Sequence, residues 1–173
     1  SPRASIFTVI DVRWAFNLIP VHPDTLKFTN FIGPDGDYYR YRRMAFGFKN
    51  APTVWNAYLQ SIFSKLKFVI VFVDDILVSS DNASQHVKHV QQVVDLLKKH
   101  SLPVRWQKIQ FFRSTVEYLG MSWGSNNGYV TITPLSVTIQ KIRDFPTPKN
   151  PKELLSFLGL ARWISKSVPK HKK

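Results

Sequence analysis

The sequence predicts an α+β fold, because strand patterns, turn signals and amphipathic helical patterns all occur within its 173 residues. Two runs rich in β-branched and aromatic residues, at positions 6–11 and 68–80, are typical of buried strands. The Gly-Pro-Asp-Gly-Asp run at positions 33–37 is a strong turn signal. Apolar residues recur at helical spacing over positions 51–65 and again up to about residue 99. Hairpins combined with separate helices indicate the α+β class.

The first half of the chain is predicted to form a strand, a hairpin and a helix. Residues 6–11 form a buried strand pattern that ends on Asp11. In positions 28–43 the turn signal is followed by aromatic and basic residues, so this segment is predicted to be a β-hairpin. Pro52 suits the first turn of a helix, which is expected over residues 51–65.

The second half is predicted to contain strands around an acid pair, a long helix, further strands and two short helices. Asn82 or Ser84 is expected to cap the long helix. Further strands are expected at 102–106 and 111–123, a turn at 124–128, and helices at 134–144 and 151–165. Prolines at 146, 148 and 151 indicate a linker between a main domain and a small helical segment.

The charge balance of the chain indicates a polyanionic partner. There are 24 Lys and Arg against 11 Asp and Glu, which gives a formal net charge of +13 and a pI of about 10.1. Nucleic acid is the partner that such a surplus favours, although a merely soluble basic surface is the alternative. The absence of Cys excludes disulfides and Cys-based zinc sites. The longest apolar run, residues 68–73, is far shorter than a bilayer span of about 20 residues.

Two adjacent acids interrupt an apolar strand run, and this conflicts with simple folding logic. Asp74 and Asp75 lie between apolar segments, where unpartnered carboxylates are costly and adjacent like charges repel. A divalent cation such as Mg²⁺ would resolve the conflict. Asp11 ends another strand, so three carboxylates could meet at one sheet end and hold two metal ions for phosphoryl transfer. The alternative is that the acid pair forms an exposed turn and Asp11 caps a helix.

Five motifs, which follow one another along the chain in the family's order, resemble the reverse transcriptases of long-terminal-repeat retroelements, such as Ty3/gypsy-like elements, and of retroviruses. The Phe-Val-Asp-Asp run at 72–75 is similar to the family's aromatic-x-Asp-Asp motif, and residues 10–16 to its first-aspartate motif. Residues 44–52 (MAFGFKNAP) resemble the loop written M-P-F-G-L-x-N-A-P, and residues 118–120 (YLG) the primer-grip F-L-G. Residues 142–149 and 156–160 resemble the stretch that lies just beyond the palm in this family.

This resemblance implies a polymerase palm, with an antiparallel sheet, helices packed on one face, and fingers and thumb largely absent. Residues 1–133 would form the palm with part of the fingers and the primer-grip hairpin. Residues 134–173 would begin the thumb or connection segment. The chain starts without Met and stops directly after an apolar helical pattern, so we expect a fragment of a larger polypeptide.

The resemblance also implies a role for each matching residue. The catalytic residues would be Asp11, Asp74 and Asp75. The ligands of two Mg²⁺ ions, or of Mn²⁺, would be Asp11, Val12, Asp74 and Asp75. The nucleotide-binding residues would be Arg13, Trp14, Ala15, Phe16, Phe46, Gly47 and Lys108, with Phe16 as the gate against a ribose 2′-hydroxyl. The primer and template would contact Asn50, Pro52, Phe72, Val73, Tyr118, Leu119, Gly120 and Met121.

The implied activity is RNA-directed DNA synthesis, with dNTPs added to a primer 3′-hydroxyl on an RNA or DNA template. The implied partners are the RNA/DNA template–primer, dNTPs and the rest of a pol polyprotein: fingers, thumb, connection, ribonuclease H, protease and integrase. No membrane partner is expected. The implied location is the cytoplasm, in a virus-like particle or virion core, with the nucleus as the alternative. The isolated piece is expected to be weak or inactive.

Two other functions stay open. A remnant that only binds nucleic acid or a partner is suggested by the missing subdomains and by bulky Trp14, which lies where the family commonly has small or acidic residues beside the triphosphate path. Ala45 and Ile109 also depart from the family pattern, away from the chemistry. A polymerase from another palm family would share the acids but lack the combination of N-A-P with the later F-L-G.

Overall fold

A computed structural model describes residues 3–13 and 16–165, and it confirms the α+β class. The strands in chain order are β1 Ile6–Asp11, β2 Asn30–Ile32, β3 Tyr38–Arg40, β4 Val69–Phe72, β5 Asp75–Ser80, β6 Gln110–Arg113, β7 Val116–Tyr118, β8 Met121–Asn126 and β9 Tyr129–Pro134. The α-helices are α1 Ala51–Phe63, α2 Ala83–Lys99, α3 Ser136–Arg143 and α4 Pro151–Ser165. Short 3₁₀ helices lie at Phe16–Leu18, Pro23–Thr29 and Trp106–Lys108.

The centre of the fold is a four-stranded antiparallel sheet in the order β4-β5-β1-β6. β1 and β5 pair along their whole length, with Ile6 opposite Ser80 at one end and Asp11 opposite Asp75 at the other. Alternate residues of these strands point to opposite faces of the sheet. On one face, Ile10 and Ile76 pack against α1 and α2 in the larger hydrophobic cluster. The expected packing of helices on one face of an antiparallel sheet is therefore confirmed.

The opposite face of the central sheet is covered by a second, three-stranded sheet, β7-β8-β9. Val116 and Tyr118 of β7 pack there against Phe7, Val9 and Leu77. Because the two inner strands β1 and β5 are buried on both faces, their central residues are largely apolar rather than alternating, whereas the outer strands β4 and β6 are more exposed. This burial on both sides explains why a carboxylate can be tolerated only at the ends of β1 and β5.

The predicted hairpin at 28–43 is confirmed as β2 and β3, which form a separate two-stranded sheet. The N–H of Gly33 donates to the carbonyl of Asp37 at 2.8 Å, and Gly36 has a φ of +84° that a side chain would disfavour. The predicted helix start after Asn82 is also confirmed, since its side chain accepts a hydrogen bond from the N–H of Gln85 at 3.0 Å.

Several predicted boundaries are wrong. The strand expected at 102–106 is absent, and only a single bridge joins Val104 to Val12 there. The strand expected at 111–123 is three strands, because tight turns divide it. The turn expected at 124–128 is confined to Asn127 and Gly128, whose φ values are +51° and +80° and suit a two-residue hairpin. The helix expected at 134–144 begins at 136, because β9 extends to 134.

Within residues 3–13 and 16–165, no helix combines the length and the apolar character needed to cross a bilayer.

Candidate active site

Three carboxylates meet at one end of the central sheet. Asp11, the last residue of β1, lies directly opposite Asp75, the first residue of β5. Asp74 precedes it in the two-residue turn that joins β4 to β5, and its carbonyl accepts a hydrogen bond from the N–H of Val12 at 2.8 Å. The pairing of β1 with β5 therefore produces the convergence that the sequence predicted.

The alternative arrangement of these acids is wrong in both of its parts. The turn consists of Val73 and Asp74 rather than of the acid pair, and Asp75 belongs to β5. Neither acid of the pair is fully exposed. Asp11 lies within β1 and faces Asp75, so it does not cap a helix.

Burial and mutual repulsion raise the pKa of two of the acids. For both Asp74 and Asp75, desolvation is the main cause of the raised pKa, and the negative charge of Asp11 is the second. The guanidinium of Arg105 partly offsets this for Asp74, and the ammonium of Lys108 partly offsets it for Asp75. Crowded, partly dehydrated carboxylates of this kind attract protons or cations.

Asp11 has a cationic partner, whereas one oxygen of Asp74 has no hydrogen-bond partner. The Nε of Arg105 lies 3.5 Å from Oδ1 of Asp11, and its backbone N–H donates to the carbonyl of Asp11 at 3.0 Å. Among the described residues, Oδ1 of Asp74 is a buried side-chain oxygen that has no hydrogen-bond partner. A buried polar atom without a partner is costly unless a ligand satisfies it.

These features test whether a divalent metal fits. No three acidic, His or Cys side chains in the described ranges are already arranged as a complete metal centre. The donor chemistry nevertheless fits, because three carboxylates supply the oxygen ligands that Mg²⁺ prefers and the unpartnered oxygen of Asp74 lacks a donor. Arg105 occupies an oxygen of Asp11 that a metal ion would take.

The residues assigned to the nucleotide lie partly beside these acids. The rings of Phe16 and Phe46 meet edge to face with centroids 5.4 Å apart, and Phe46 is 74% exposed. Gly47, exposed beside it, has a φ of +88°. The positive charge of Lys108 partly offsets the raised pKa of Asp75, whereas its assigned role at the nucleotide stays a prediction.

Three of the assigned nucleotide residues follow Asp11 directly. The backbone N–H of Arg13 donates to the carbonyl of Pro103 at 2.7 Å, so this N–H is engaged within the fold rather than available to a phosphate. Trp14 and Ala15 lie outside the residues that the structure describes.

The residues assigned to primer and template lie in several different places. Phe72, Leu119 and Met121 line one apolar groove together with Trp123 and Trp163. Gly120 forms the turn after β7, with a φ of +70°. Tyr118 is only 2% exposed, so its side chain belongs to the core between the sheets. Asn50 and Pro52 lie apart from this groove, at the start of α1, and Val73 lies in the acid turn.

The aromatic and basic side chains in and near the β2–β3 hairpin differ in their exposure. Tyr39 and Tyr41 both stack on Phe31, with centroids 5.7 and 4.9 Å apart, so these rings pack on the hairpin itself. Tyr38 is 82% exposed, as is most of Trp106. The guanidinium of Arg43 donates to the carbonyl of Leu18, whereas the side chains of Arg40, Arg42 and Arg113 are exposed.

Sequence reasoning missed two residues that contact the acid turn. The indole N–H of Trp55 donates to the carbonyl of Val73 at 2.8 Å, and the side-chain oxygen of Asn56 accepts from the N–H of Val73 at 3.3 Å. Both lie in α1, and no spacing in the sequence relates them to position 73. The only available signal was a polar side chain beside a Trp inside an apolar helix.

Comparison with known proteins gives a consistent result. The sequence profile described as "Reverse transcriptase (RNA-dependent DNA polymerase)" matches residues 1–123. The Transposon Tf2-3 polyprotein of Schizosaccharomyces pombe is 34% identical over 169 residues, which cover 96% of this chain and 12% of the polyprotein. The chain thus spans about an eighth of the curated relatives that it matches.

Solved structures agree with the sequence comparison. A foamy viral protease-reverse transcriptase in complex with double-stranded DNA superposes with a TM-score of 0.81 at 27% identity, covering 94% of this chain and 28% of that one. The same kind of protein in complex with an RNA/DNA hybrid gives a TM-score of 0.77 at 27% identity, covering 94% and 21%.

Proposed function

Because the chain belongs to the reverse transcriptase (RNA-dependent DNA polymerase) family, we propose that it is the catalytic palm piece of an RNA-directed DNA polymerase from a retrotransposon polyprotein. The observation that carries the proposal is the pairing of Asp11 with Asp75, beside Asp74, at one end of a sheet that is buried on both faces. The raised pKa values of the acid pair and the unpartnered oxygen of Asp74 support a cation-binding role.

In this proposal Asp11, Asp74 and Asp75, with Val12 beside them, would hold two Mg²⁺ ions, for which Mn²⁺ can substitute. When bound, such ions lower the pKa of the primer 3′-hydroxyl and neutralise the triphosphate in an in-line phosphoryl transfer. The contribution of the chain is position: β1 and β5 hold two of the carboxylates in a fixed register. Arg105, which pairs with Oδ1 of Asp11, would compete with a metal for this oxygen and could instead contact a phosphate.

The incoming dNTP would lie beside Phe16 and Phe46. Their edge-to-face contact forms an aromatic wall, which suits exclusion of a ribose 2′-hydroxyl at Phe16. Gly47 lets the backbone approach the nucleotide closely, and Lys108 would neutralise charge on the leaving pyrophosphate. Support for Lys108 comes from its electrostatic effect on Asp75.

The template–primer would contact the groove lined by Phe72, Leu119 and Met121, next to the acid turn. Exposed arginines such as Arg40 and Arg113 would bind phosphates without reading sequence, which makes the affinity sensitive to salt. The net charge of +13 supports this. The foamy viral neighbours are proteins in complex with double-stranded DNA and with an RNA/DNA hybrid.

The remaining parts of the enzyme would come from the rest of a pol polyprotein. Residues 134–173 would begin the next subdomain, in which the segment after α3 packs on α4 through Phe145 and Phe157, whose rings are 5.3 Å apart. The proposed location is cytoplasmic, in a virus-like particle or virion core, with the nucleus as the alternative.

The proposal is tested with the polyprotein that contains this chain, assayed for Mg²⁺-dependent extension of a DNA primer on an RNA template. Asp74→Asn and Asp75→Asn should each reduce extension by at least about a hundredfold, because metal-assisted charge stabilisation is worth several kcal/mol. Asp95→Asn is the matched control, since Asp95 is exposed on α2 and bonds only Gln91 at 2.8 Å. Undiminished synthesis by both site variants would reject the assigned site.

The second candidate is a non-catalytic remnant that binds nucleic acid. It is favoured by one observation, the Arg105 contact that already neutralises Asp11 without a metal. A remnant would bind primer–template in a salt-dependent manner, would show no extension, and would be indifferent to Asp75→Asn in both assays.

A further inference from the structure

The turn that carries the acid pair has a strained backbone. Val73 has a φ of +50°, which is the left-handed region. For a β-branched residue this conformation is unusual and unfavourable, and such strain persists only where surrounding contacts enforce it. Glycine would adopt it without strain. Contacts from the surrounding residues must therefore hold Val73 in this conformation.

Helix α1 holds Val73 through both of its backbone polar groups. Trp55 donates its indole N–H to the Val73 carbonyl at 2.8 Å, and Asn56 accepts the Val73 N–H through its side-chain oxygen at 3.3 Å. The Trp55 ring is fully buried in the core between α1, α2 and the central sheet, so it is a rigid donor. Adjacent residues of one helix therefore fix a single peptide residue of the hairpin.

The neighbouring residue is fixed from the other side. The Asp74 carbonyl accepts the N–H of Val12 at 2.8 Å, and Phe72 pairs with Asp75 across the turn. These contacts hold the backbone on both sides of Asp74, and thereby the position from which its carboxylate projects. Its Oδ1 is buried without a partner, an arrangement that relaxation of the turn would remove.

From these contacts we propose that Trp55 and Asn56 are positioning residues, which hold Val73 in the left-handed conformation and thereby aim the carboxylate of Asp74 at the cation. We call the two hydrogen bonds from Trp55 and Asn56 to Val73 the clamp. The clamp itself rests on the turn geometry alone, whereas its effect on a bound cation rests on the proposed function. Trp55 also interacts through its side chain with the Asp74 carboxyl, so it acts on this ligand directly as well as through Val73.

The clamp is tested first without metal, by amide hydrogen exchange of the 173-residue chain followed by NMR. Asn56→Ala should speed exchange of the Val73 N–H by about tenfold or more relative to amides of β5, because the N–H loses its acceptor. Asn56→Asp keeps an oxygen acceptor and should retain protection. Gln60→Ala, an exposed position one turn further along α1, is the matched control and should change nothing. Equal exchange of Val73 in the wild-type and Asn56→Ala chains would overturn the clamp.

The positioning role is tested by Mn²⁺ titration of the same variants, followed by electron paramagnetic resonance. Asn56→Ala should weaken Mn²⁺ binding by about tenfold, the low end for loss of a group that orients a metal ligand. In a Val73→Gly background the same change should cost less than about threefold, since Gly adopts a positive φ unaided. A role confined to stability would not show this rescue. Trp55→Phe removes the indole N–H together with part of a fully buried ring, so it should weaken Mn²⁺ binding at least as much as Asn56→Ala.

The outcomes separate this inference from the proposed function. Faster Val73 exchange with unchanged Mn²⁺ affinity overturns the positioning role and leaves the clamp as a folding contact. If the wild-type chain binds no Mn²⁺, and the Asp74→Asn chain gives the same titration, the proposed metal site is contradicted. The hydrogen-exchange result then decides the clamp by itself.

Discussion

Acid is expected to destabilise the fold through His86, a residue of α2 that contacts β1 and β5 away from the acid turn. The ring is fully buried. Its Nε2 lies 2.7 Å from the hydroxyl of Thr8, and its Nδ1 lies 2.8 Å from the hydroxyl of Ser80. Burial, and secondarily the charge of His89, lower the pKa of His86 from 6.5 to about 4. The hydroxyls carry no charge that would stabilise an imidazolium.

The sign and size of the effect follow from this lowered pKa. Above pH 6.5 the ring is neutral in both states, so the stability it contributes is fully present. As the pH falls towards 4, the ring of His86 binds a proton in the unfolded chain but not in the folded chain, so the free energy of unfolding decreases. With values of 6.5 and about 4, lowering the pH from about 8 to 5 removes about 2 kcal/mol of unfolding free energy.

Urea denaturation followed by Trp fluorescence, at intervals between pH 8 and pH 5, measures this loss. His86→Gln keeps a polar side chain but cannot titrate, so its unfolding free energy should fall by about 2 kcal/mol less than that of the wild type over this range. His22→Gln is the matched His-to-Gln control at an exposed position, where 71% of the side chain is accessible. Identical pH dependence of the wild-type and His86→Gln chains would refute the reasoning, whatever their absolute stabilities.

Three other expectations can be checked on the same chain. Asp75→Asn should raise the free energy of unfolding near pH 7 in chelator, because the raised pKa of Asp75 means that its charge opposes folding there; a less stable variant would contradict this. Arg105→Gln should strengthen Mn²⁺ binding and lower metal-free stability by at most about 1 kcal/mol, since the ion pair with Asp11 is partly exposed; weaker Mn²⁺ binding would show that Arg105 assists the metal. Gly128→Ala should cost about 1 kcal/mol in urea denaturation, because its φ is +80°, whereas Ser125→Ala in the adjoining strand should cost less.

Local patterns were sufficient for the elements that surround the site. The strand at 6–11, the hairpin at 28–43, the helix starts after residues 50 and 82, and the helix at 151–165 follow from apolar periodicity, turn residues and capping chemistry. These signals are encoded within a few residues of where they act. They fail at 102–106, where an apolar segment is too short and too irregular to pair, and at 124–128, where Gly124 lies in a strand with Thr115 close above it.

The sequence by itself identified the candidate residues for the chemistry, because acids inside or at the end of an apolar run conflict with folding and so stand out as Asp11, Asp74 and Asp75. Only the tertiary structure decided their geometry. Asp11 meets Asp75 across 64 positions because packing on both faces of the sheet sets the register of β1 and β5. The same long-range packing brings α1 against the acid turn and Arg105 against Asp11. Side chains far apart in the chain have no local pattern that relates them, so their contacts appear only when the layers are assembled.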